Sequence, residues 1–417
     1  MLEPPAAGRK KRIDRLLSTM TIHKKIGQTL CPDAWSFGAI ANSKTIGGII
    51  DSVLEKVEAC HLGCLVVPFG TSAATVGDSV VSRFESGTSP WSCAVQGTGA
   101  GGSTSSTDSG HTGAGCELVT AIAREATLTR MFGSHLSIAG GLHNALIEAK
   151  RLGMDCVQVF TKNQQQWAAP PLTDEKIALW KQHQRDTGIT EVVSHDSYLI
   201  NLASPKREVR EKSISLFIDE VERCEALGIA WLVTHPGAHL GLGEAKGLQR
   251  VAAALDRVHK RLVGYRTITC LEITAGQGSG LGYQFEHLRR IIDMTGEPER
   301  LAVCFDTAHA LEAGYDLTSG RGMRQTLERF DEVLGLDLLK VVHVNDSKTP
   351  RSSHVDRHTH IGHGHVALAA FRELVNHAKL ARVPKILETP KEDAPDGRAW
   401  DTINVTLLRG MVRRKGE

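Results

Sequence analysis

From residue 132 onward the chain alternates between two textures. Short apolar, β-branched runs recur at FGSHLSI (132–138), DCVQVF (155–160), TEVVSH (190–195), AWLVTH (230–235), TITCLE (267–272), LAVCFD (301–306), KVVHVN (340–345) and PKILE (384–388). Between them lie amphipathic stretches such as KREVREKSISLFIDEVERCEALG (206–228) and ALAAFRELVNHAKLA (367–381), with apolar residues three and four apart. The runs predict buried strands, and the stretches predict helices that cover them. Buried runs separated by helices are parallel βα units. Eight of them have the count and length of a (β/α)8 barrel. A doubly wound open sheet shows the same alternation, but it supplies no reason for the polar residues that end the runs.

In seven of the eight runs a His, Asp or Glu stands at or beside the C-terminal end: His195, His235, Glu272, Asp306, His343 and Glu388, with His135 inside the first run. A barrel gathers its strand C-termini at one mouth, where the chemistry of this fold sits. A single histidine at a strand end is an ordinary hydrogen-bonded residue. Carboxylates crowded on one rim raise one another's pKa, so a set of this size needs cations between its members. FDTAHA adds His309, three residues after Asp306, and VDRH adds Asp356 and His358, which share a face in extended geometry.

Five histidines and four carboxylates are too many for one zinc, which takes about four ligands. They suit two or three ions, with Glu272 or another carboxylate bridging. No cysteine joins the set. Mg²⁺ and Ca²⁺ prefer fewer imidazoles, so zinc fits best, with Mn²⁺ or Fe²⁺ as substitutes. Three divalent ions against four carboxylates leave about two positive charges, which favours an anionic substrate such as a phosphodiester. Hydroxide held between ions, with another ion steadying the leaving oxygen, makes phosphodiester hydrolysis the expected reaction. The tract HVDRHTHIGHGH (354–365) contributes only Asp356 and His358 to this set. Arg357 is expected to project the other way, toward phosphate or else only solvent, while His354, His360, His363 and His365 read as loop, supporting or surface residues.

Composition narrows the setting. The formal charge of +2 gives no global basic field, so a polyanionic partner must be held by local features. No apolar run has the length of a membrane span. Nine cysteines without a CxxC pair read as reduced thiols. The N-terminal MLEPPAAGRKKRIDRLL lacks the apolar core of a secretory signal, though GRKKRIDR has the form of a nuclear-type basic address. Residues 96–115, rich in Gly, Ser and Thr, read as a flexible linker. The segment 46–70 holds an apolar patch without a catalytic constellation. Residues 1–130 are therefore expected to be a poorly structured N-terminal extension, and 131–417 the barrel domain.

GSHLSIAGG, FTKNQQQW, HDSYLINL, FIDEVERCEALG, HPGAHL, TAGQGSGLG, FDTAHALEAGYD, HVNDSK, VDRH and ILET occur in this order. Together they closely resemble the endonuclease IV family of apurinic/apyrimidinic endonucleases. The resemblance implies a xylose-isomerase-like TIM barrel, a trinuclear zinc site and a role in base excision DNA repair. It implies hydrolysis of the phosphodiester 5′ to an abasic site in double-stranded DNA, leaving a 3′-hydroxyl and a 5′-deoxyribose phosphate. His195, His235 and Glu272 would hold one zinc. Glu272 would bridge to a second, completed by Asp306, His343 and Glu388, and would position the hydroxide. His309, Asp356 and His358 would hold the third.

Tyr198 and Leu199 resemble the family's minor-groove wedge, which unstacks and kinks the duplex; without the resemblance they would simply cap the barrel. Gln165, His135 and Arg357 would also contact DNA, and Gln165 stands where many members carry arginine, which weakens the salt-dependent part of affinity. Other departures are Ser194 before the first ligand, Ile273 where asparagine is usual, and His363 where an acidic residue is usual. Ile273 bears most on rate, because hydrogen bonds behind a ligand tune it. Family chains commonly begin at the position of Met131, so residues 1–130 are expected to be a dispensable leader or to lie upstream of the true start. A monomer is implied, cytoplasmic in a prokaryote and nuclear or mitochondrial in a eukaryote. Two alternatives stay open: a metal-dependent sugar isomerase or epimerase on a similar barrel, which would not require Asp356 and His358, and a non-catalytic protein that binds abasic DNA.

Overall fold

The computed structural model describes residues 130–413. The apolar segment 46–70, the stretch 96–115 and the rest of residues 1–129 lie outside the described residues. The predicted runs form strands β1 (Phe132–His135), β2 (Cys156–Val159), β3 (Glu191–His195), β4 (Trp231–Thr234), β5 (Ile268–Glu272), β6 (Leu301–Asp306) and β7 (Leu339–His343). Two short strands, β8 (Asp346–Ser347) and β9 (His358–Thr359), precede the last barrel strand, β10 (Lys385–Leu387). Strands β1 to β7 and β10 close into an eight-stranded parallel barrel in which β1 pairs with both β2 and β10, while β8 and β9 pair antiparallel outside it. The open sheet is thereby excluded. The first strand ends at His135, earlier than the run 132–138 suggested, because the chain then bends toward the left-handed Gly140 and Gly141.

Helices α1 (His143–Arg151), α2 (Asp174–Thr187), α3 (Arg207–Leu227), α4 (Glu244–Arg261), α5 (Phe285–Met294), α6 (Thr307–Ala313), α7 (Gly320–Val333), α8 (Leu368–Asn376) and α9 (Trp400–Gly410) complete the chain order. Their ends follow local chemistry. Thr173 caps α2 through its side-chain oxygen, and Gly188 and Gly228 end α2 and α3 in the left-handed conformation. The amphipathic faces meet the outside of the barrel in one large apolar cluster that includes Trp180, Phe217, Leu248, Leu288, Phe330 and Phe371. Fully burying side chains of this size stabilises by roughly 1.5–3 kcal/mol each.

Strand alternation divides each run between that cluster and the barrel interior. A separate small cluster comprises Cys156, Val193, Val233, Cys270, Ala302, Cys304, Val341 and Ile386. Gly133 belongs to the same level, since a Cβ there would overlap the carbonyl oxygen of Cys156. Two residues beyond Gly133, Cys156, Val193, Val233, Cys270, Cys304, Val341 and Ile386 stand His135, Gln158, His195, His235, Glu272, Asp306, His343 and Glu388. An apolar floor thus carries one polar ring, and the period-two step places that ring at the C-terminal mouth.

Candidate metal centre

The structure brings all nine predicted donors to this mouth. Donor atoms of His195, His235 and Glu272 lie within 4.8 Å of one another, as do those of Glu272, Asp306, His343 and Glu388. Asp306, His309 and His358 form a third such group, and His309, Glu312 and Asp356 a fourth. The outer pair is close: His309 Nε2 is 3.3 Å from Asp356 Oδ2, and His358 Nε2 is 3.7 Å from Asp356 Oδ1. Asp306 Oδ2 lies 3.7 Å from His358 Nε2, so this carboxylate faces the outer donors as well as the inner ones.

Local structure explains these positions. Asp306 caps α6 by accepting the backbone N–H of His309 at 2.8 Å, so the spacing of three in FDTAHA is a helix-start geometry that delivers both side chains to the mouth. His358 begins β9, whose register opposes it to Ser347, and Asp356 lies just before the strand. The glycine-rich turn that follows wraps around Asp346, whose carboxylate accepts the N–H groups of Gly362, Gly364 and Val366, each at 2.9 Å. Gly364 is required there because a Cβ would overlap the Ser347 carbonyl oxygen.

Hydrogen bonds also choose which ring nitrogen each histidine turns inward. A carbonyl oxygen can only accept. His195 therefore donates from Nδ1 to the Asp196 carbonyl at 2.9 Å and leaves Nε2 facing Glu272 Oε2 at 3.2 Å. His309 likewise donates from Nδ1 to the Ile273 carbonyl at 3.0 Å and leaves Nε2 toward Asp356 and His358. His343 is reversed: Nε2 donates to Gln158 Oε1 at 2.8 Å, while Nδ1 faces Glu272 at 2.9 Å and Glu388 at 3.2 Å. Each inward nitrogen faces carboxylates, so it points a proton at them or, once a cation binds between them, a lone pair at that cation.

The electrostatics agree. Burial disfavours charge on His195, yet the hydrogen bond and charge of Glu272 raise it to about 10. The carboxylates likewise lift His309 and His343 above the usual histidine range against burial. Burial works against the charged forms of Glu272 and Glu388, but the surrounding histidines hold both well below the usual carboxylate range. Burial pushes Asp196 up to about 7 against the charge of His195 and a 2.6 Å hydrogen bond from Thr234. Imidazoles interleaved with ionised carboxylates form a donor set of the kind zinc takes.

Several participants escaped the sequence reading. The eighth position of the ring is Gln158, which is buried in the single run without a His, Asp or Glu at its end. Its amide donates to Glu388 Oε1 at 2.6 Å and to His135 Nδ1 at 3.0 Å. Its place two residues after Cys156 was the available signal. Asn345 donates to Asp306 Oδ2 at 2.6 Å and accepts the N–H of Glu388 at 2.7 Å. Glu312 lies one helical turn after His309 and is fully buried. Cys304 was expected to stand apart, but its sulfur comes within reach of Glu272 and His343 because it occupies the floor beneath them. Burial and the nearby carboxylates push its thiol well up, so it is a protonated lining residue.

The expected DNA-contact residues surround the same mouth unevenly. Tyr198 is 67% exposed, whereas Leu199 is partly buried against the main core. Gln165 and Arg357 are both exposed, and Arg357 donates to the Asp356 carbonyl at 2.6 Å. His135 is largely enclosed: its Nδ1 accepts from Gln158, and its ring packs against Phe160 at 4.2 Å. A cavity of about 500 Å³ opens beside the donors, with His195, His235, Tyr198, Gln277, Asp356 and Arg357 among its walls. Of the remaining tract histidines, His354, His363 and His365 are exposed. His360 corrects the surface alternative, since it is buried and stacked 4.1 Å from Trp400. Among the described residues no helix is long and apolar enough to cross a membrane.

Residues 146–405 match the xylose isomerase-like TIM barrel family. A probable endonuclease 4 of Chloroflexus aurantiacus is 48% identical over 282 residues, covering 68% of this chain and 98% of the relative. The chain belongs to the endonuclease IV family. The family's solved endonuclease IV from Thermus thermophilus is similar in structure, with a TM-score of 0.59 and 32% identity over 67% of this chain and 98% of that one. A D-tagatose 3-epimerase-like protein shares the fold at 18% identity and a TM-score of 0.53, over 67% of this chain and 96% of that one.

Proposed function

We propose that this chain is a zinc-dependent apurinic/apyrimidinic endonuclease that hydrolyses the phosphodiester 5′ to an abasic site in duplex DNA. The products would be a 3′-hydroxyl and a 5′-deoxyribose phosphate, as a step of base excision repair. One observation carries the reading: nine histidine and carboxylate donors meet in overlapping groups at the barrel mouth, beside a cavity walled by Tyr198 and Arg357. Family membership supports a DNA substrate over a sugar, and the outer donors Asp356 and His358 support the same choice.

In this reading His195, His235 and Glu272 hold one ion. Glu272 bridges to a second with Asp306, His343 and Glu388, and His309, Asp356 and His358 hold a third. Zinc at such positions supplies Lewis acidity toward the phosphate and lowers the pKa of water. The chain's own work is orientation. Gln158 fixes His343 and Glu388 together, Asn345 ties Asp306 to the backbone of Glu388, and the Ile273 carbonyl selects the His309 tautomer. In the same reading Tyr198 enters a duplex at the lesion, supported by its exposure and by Leu199 packed on the core behind it, and Gln165, His135 and Arg357 are the remaining DNA-contact candidates. The chain acts as a cytoplasmic monomer, with residues 1–130 as an extension of the barrel domain. Incubation with a duplex carrying one tetrahydrofuran abasic analogue tests the activity, because the analogue cannot undergo β-elimination. Nicking on the 5′ side that a strong chelator abolishes is expected. Tight lesion binding without nicking by zinc-loaded protein would replace the proposal with a lesion-binding role, and turnover of a ketose without action on DNA would replace it with the isomerase reading.

A further inference from the structure

Glu312 is a carboxylate of this region that the ligand assignment leaves without a task. It sits on α6 a turn beyond His309, is 0% exposed, and splits its two oxygens between different surroundings. Oε1 accepts from Ser347 Oγ at 2.6 Å, from Thr349 Oγ1 at 3.3 Å and from the Arg357 N–H at 3.2 Å. These three donors belong to the two ends of the segment that carries Asp356 and leads into His358. Oε2 is buried and has no hydrogen-bond partner among the described residues. Leaving a buried carboxylate oxygen unmatched is expensive, and a donor atom of Glu312 lies within 4.8 Å of those of His309 and Asp356.

We infer that Glu312 is a tenth donor of the centre: Oε1 clips the 347–357 loop in place, and Oε2 faces the cation shared with His309 and Asp356. The inference rests on the zinc reading above and adds a carboxylate to its outermost position. One residue thereby couples the position of the loop to occupation of the outer site. The two functions separate by substitution. In Glu312→Gln the amide oxygen still accepts from Ser347, Thr349 and Arg357, while an NH₂ group replaces Oε2 and cannot ligate. Ser347→Ala removes the strongest of the three clip contacts and keeps the carboxylate.

Zinc content of the full chain, with chelator competition, reads the result. Wild-type protein is expected to hold three equivalents. Glu312→Gln should keep two of them and lose affinity for the third on the order of 10–100-fold, more than Ser347→Ala does. A third equivalent held as tightly in Glu312→Gln as in wild type would overturn the role, because a merely structural, protonated carboxyl is well mimicked by an amide. Equal losses in the two variants would also overturn it, leaving only the clip. Zinc-edge anomalous scattering from crystals of the unmutated protein answers the question even if the variant does not fold. An ion about 2.0–2.2 Å from Glu312 Oε2 is expected, and an outer ion beyond bonding reach of that atom overturns the inference. Wild-type protein that takes up no zinc would instead remove the metal reading on which it rests.

Discussion

Replacing Gln158 by leucine tests whether the buried ring works as an orienting device. The substitution preserves most of the side-chain volume but deletes the contacts to Glu388 Oε1 (2.6 Å), His343 Nε2 (2.8 Å) and His135 Nδ1 (3.0 Å). His343 is completely buried, so its Nε2–H would be left without a partner. That alone destabilises the fold by about 1–3 kcal/mol. The effect on metal binding follows from the tautomer. Without Gln158 the imidazole no longer has a reason to keep its proton on Nε2 and its lone pair on Nδ1, and Glu388 loses the donor that fixes its carboxylate. Loss of a partner behind a ligand typically weakens metal affinity about 10–100-fold, which is about 1.4–2.7 kcal/mol at roughly 1.36 kcal/mol per decade. That range overlaps the 1.5–3 kcal/mol or so expected for one hydrogen bond to a charged group. Competition with a chromogenic chelator should therefore show one weakened zinc equivalent, and nicking of the tetrahydrofuran duplex at limiting zinc should fall by a similar factor. Wild-type zinc affinity and wild-type nicking in a folded Gln158→Leu protein would refute the argument.

Four further outcomes follow from the same geometry. Glu272→Gln should lower nicking by orders of magnitude, since Glu272 faces His195, His235, His309 and His343 at once; His360→Ala should lower the melting temperature through its lost stacking on Trp400 while kcat stays near wild type, and equal kinetic damage from the two would contradict the ligand assignment. Tyr198→Ala should reduce the preference for abasic over intact duplex in competitive binding with zinc content unchanged, and a parallel loss of zinc would contradict its role. Glu272 holds His195 near pH 10 against the opposing effect of burial, whereas an unfolded histidine titrates near 6.5. In chelator-treated protein the stability from that charge is complete below about pH 6.5 and is lost as pH rises toward 10; thermal melts should show this alkaline decline only without zinc, and identical pH profiles with and without zinc would contradict the proposed exchange of protons for metal.

Much of this centre was legible because the barrel converts a one-dimensional rule into a three-dimensional one. Alternation in a strand fixes the face, and the C-terminal end fixes the mouth, so His195, His235, Glu272, Asp306, His343 and Glu388 could be gathered from the chain's pattern alone. The same rule pointed to Gln158, but an uncharged side chain has no electrostatic need for company and raised no alarm. Glu312 was hidden differently. Its position depends on how α6 packs against the 347–357 loop, a tertiary contact between segments whose spacing carries no periodic signal. His360 looked like its neighbours in a polar tract, and only the arrival of Trp400 and Asn404 from α9 makes it a buried, packed residue.

Ile273 shows why a departure from the family pattern must be read by face before it is read by chemistry. It immediately follows the proposed bridging glutamate, and the resemblance made its missing amide look like a defect behind the metal. Glu272 points into the barrel, so the next residue points out of it, and Ile273 is fully buried in the apolar cluster beneath the helices. The polar service at this position comes from its carbonyl oxygen, which accepts from His309 Nδ1 at 3.0 Å and leaves Nε2 toward the outer donors. A carbonyl is present whatever the side chain. The metal-facing half of the residue is thus indifferent to the substitution, while the core-facing half gains an apolar contact. The departures that bear on function are therefore those away from the core, foremost the neutral Gln165, whose backbone N–H is tied to the Asn163 side chain in an exposed loop. As a proposed DNA contact, its neutral side chain is expected to act on the salt dependence of binding, not on the assembly of the centre.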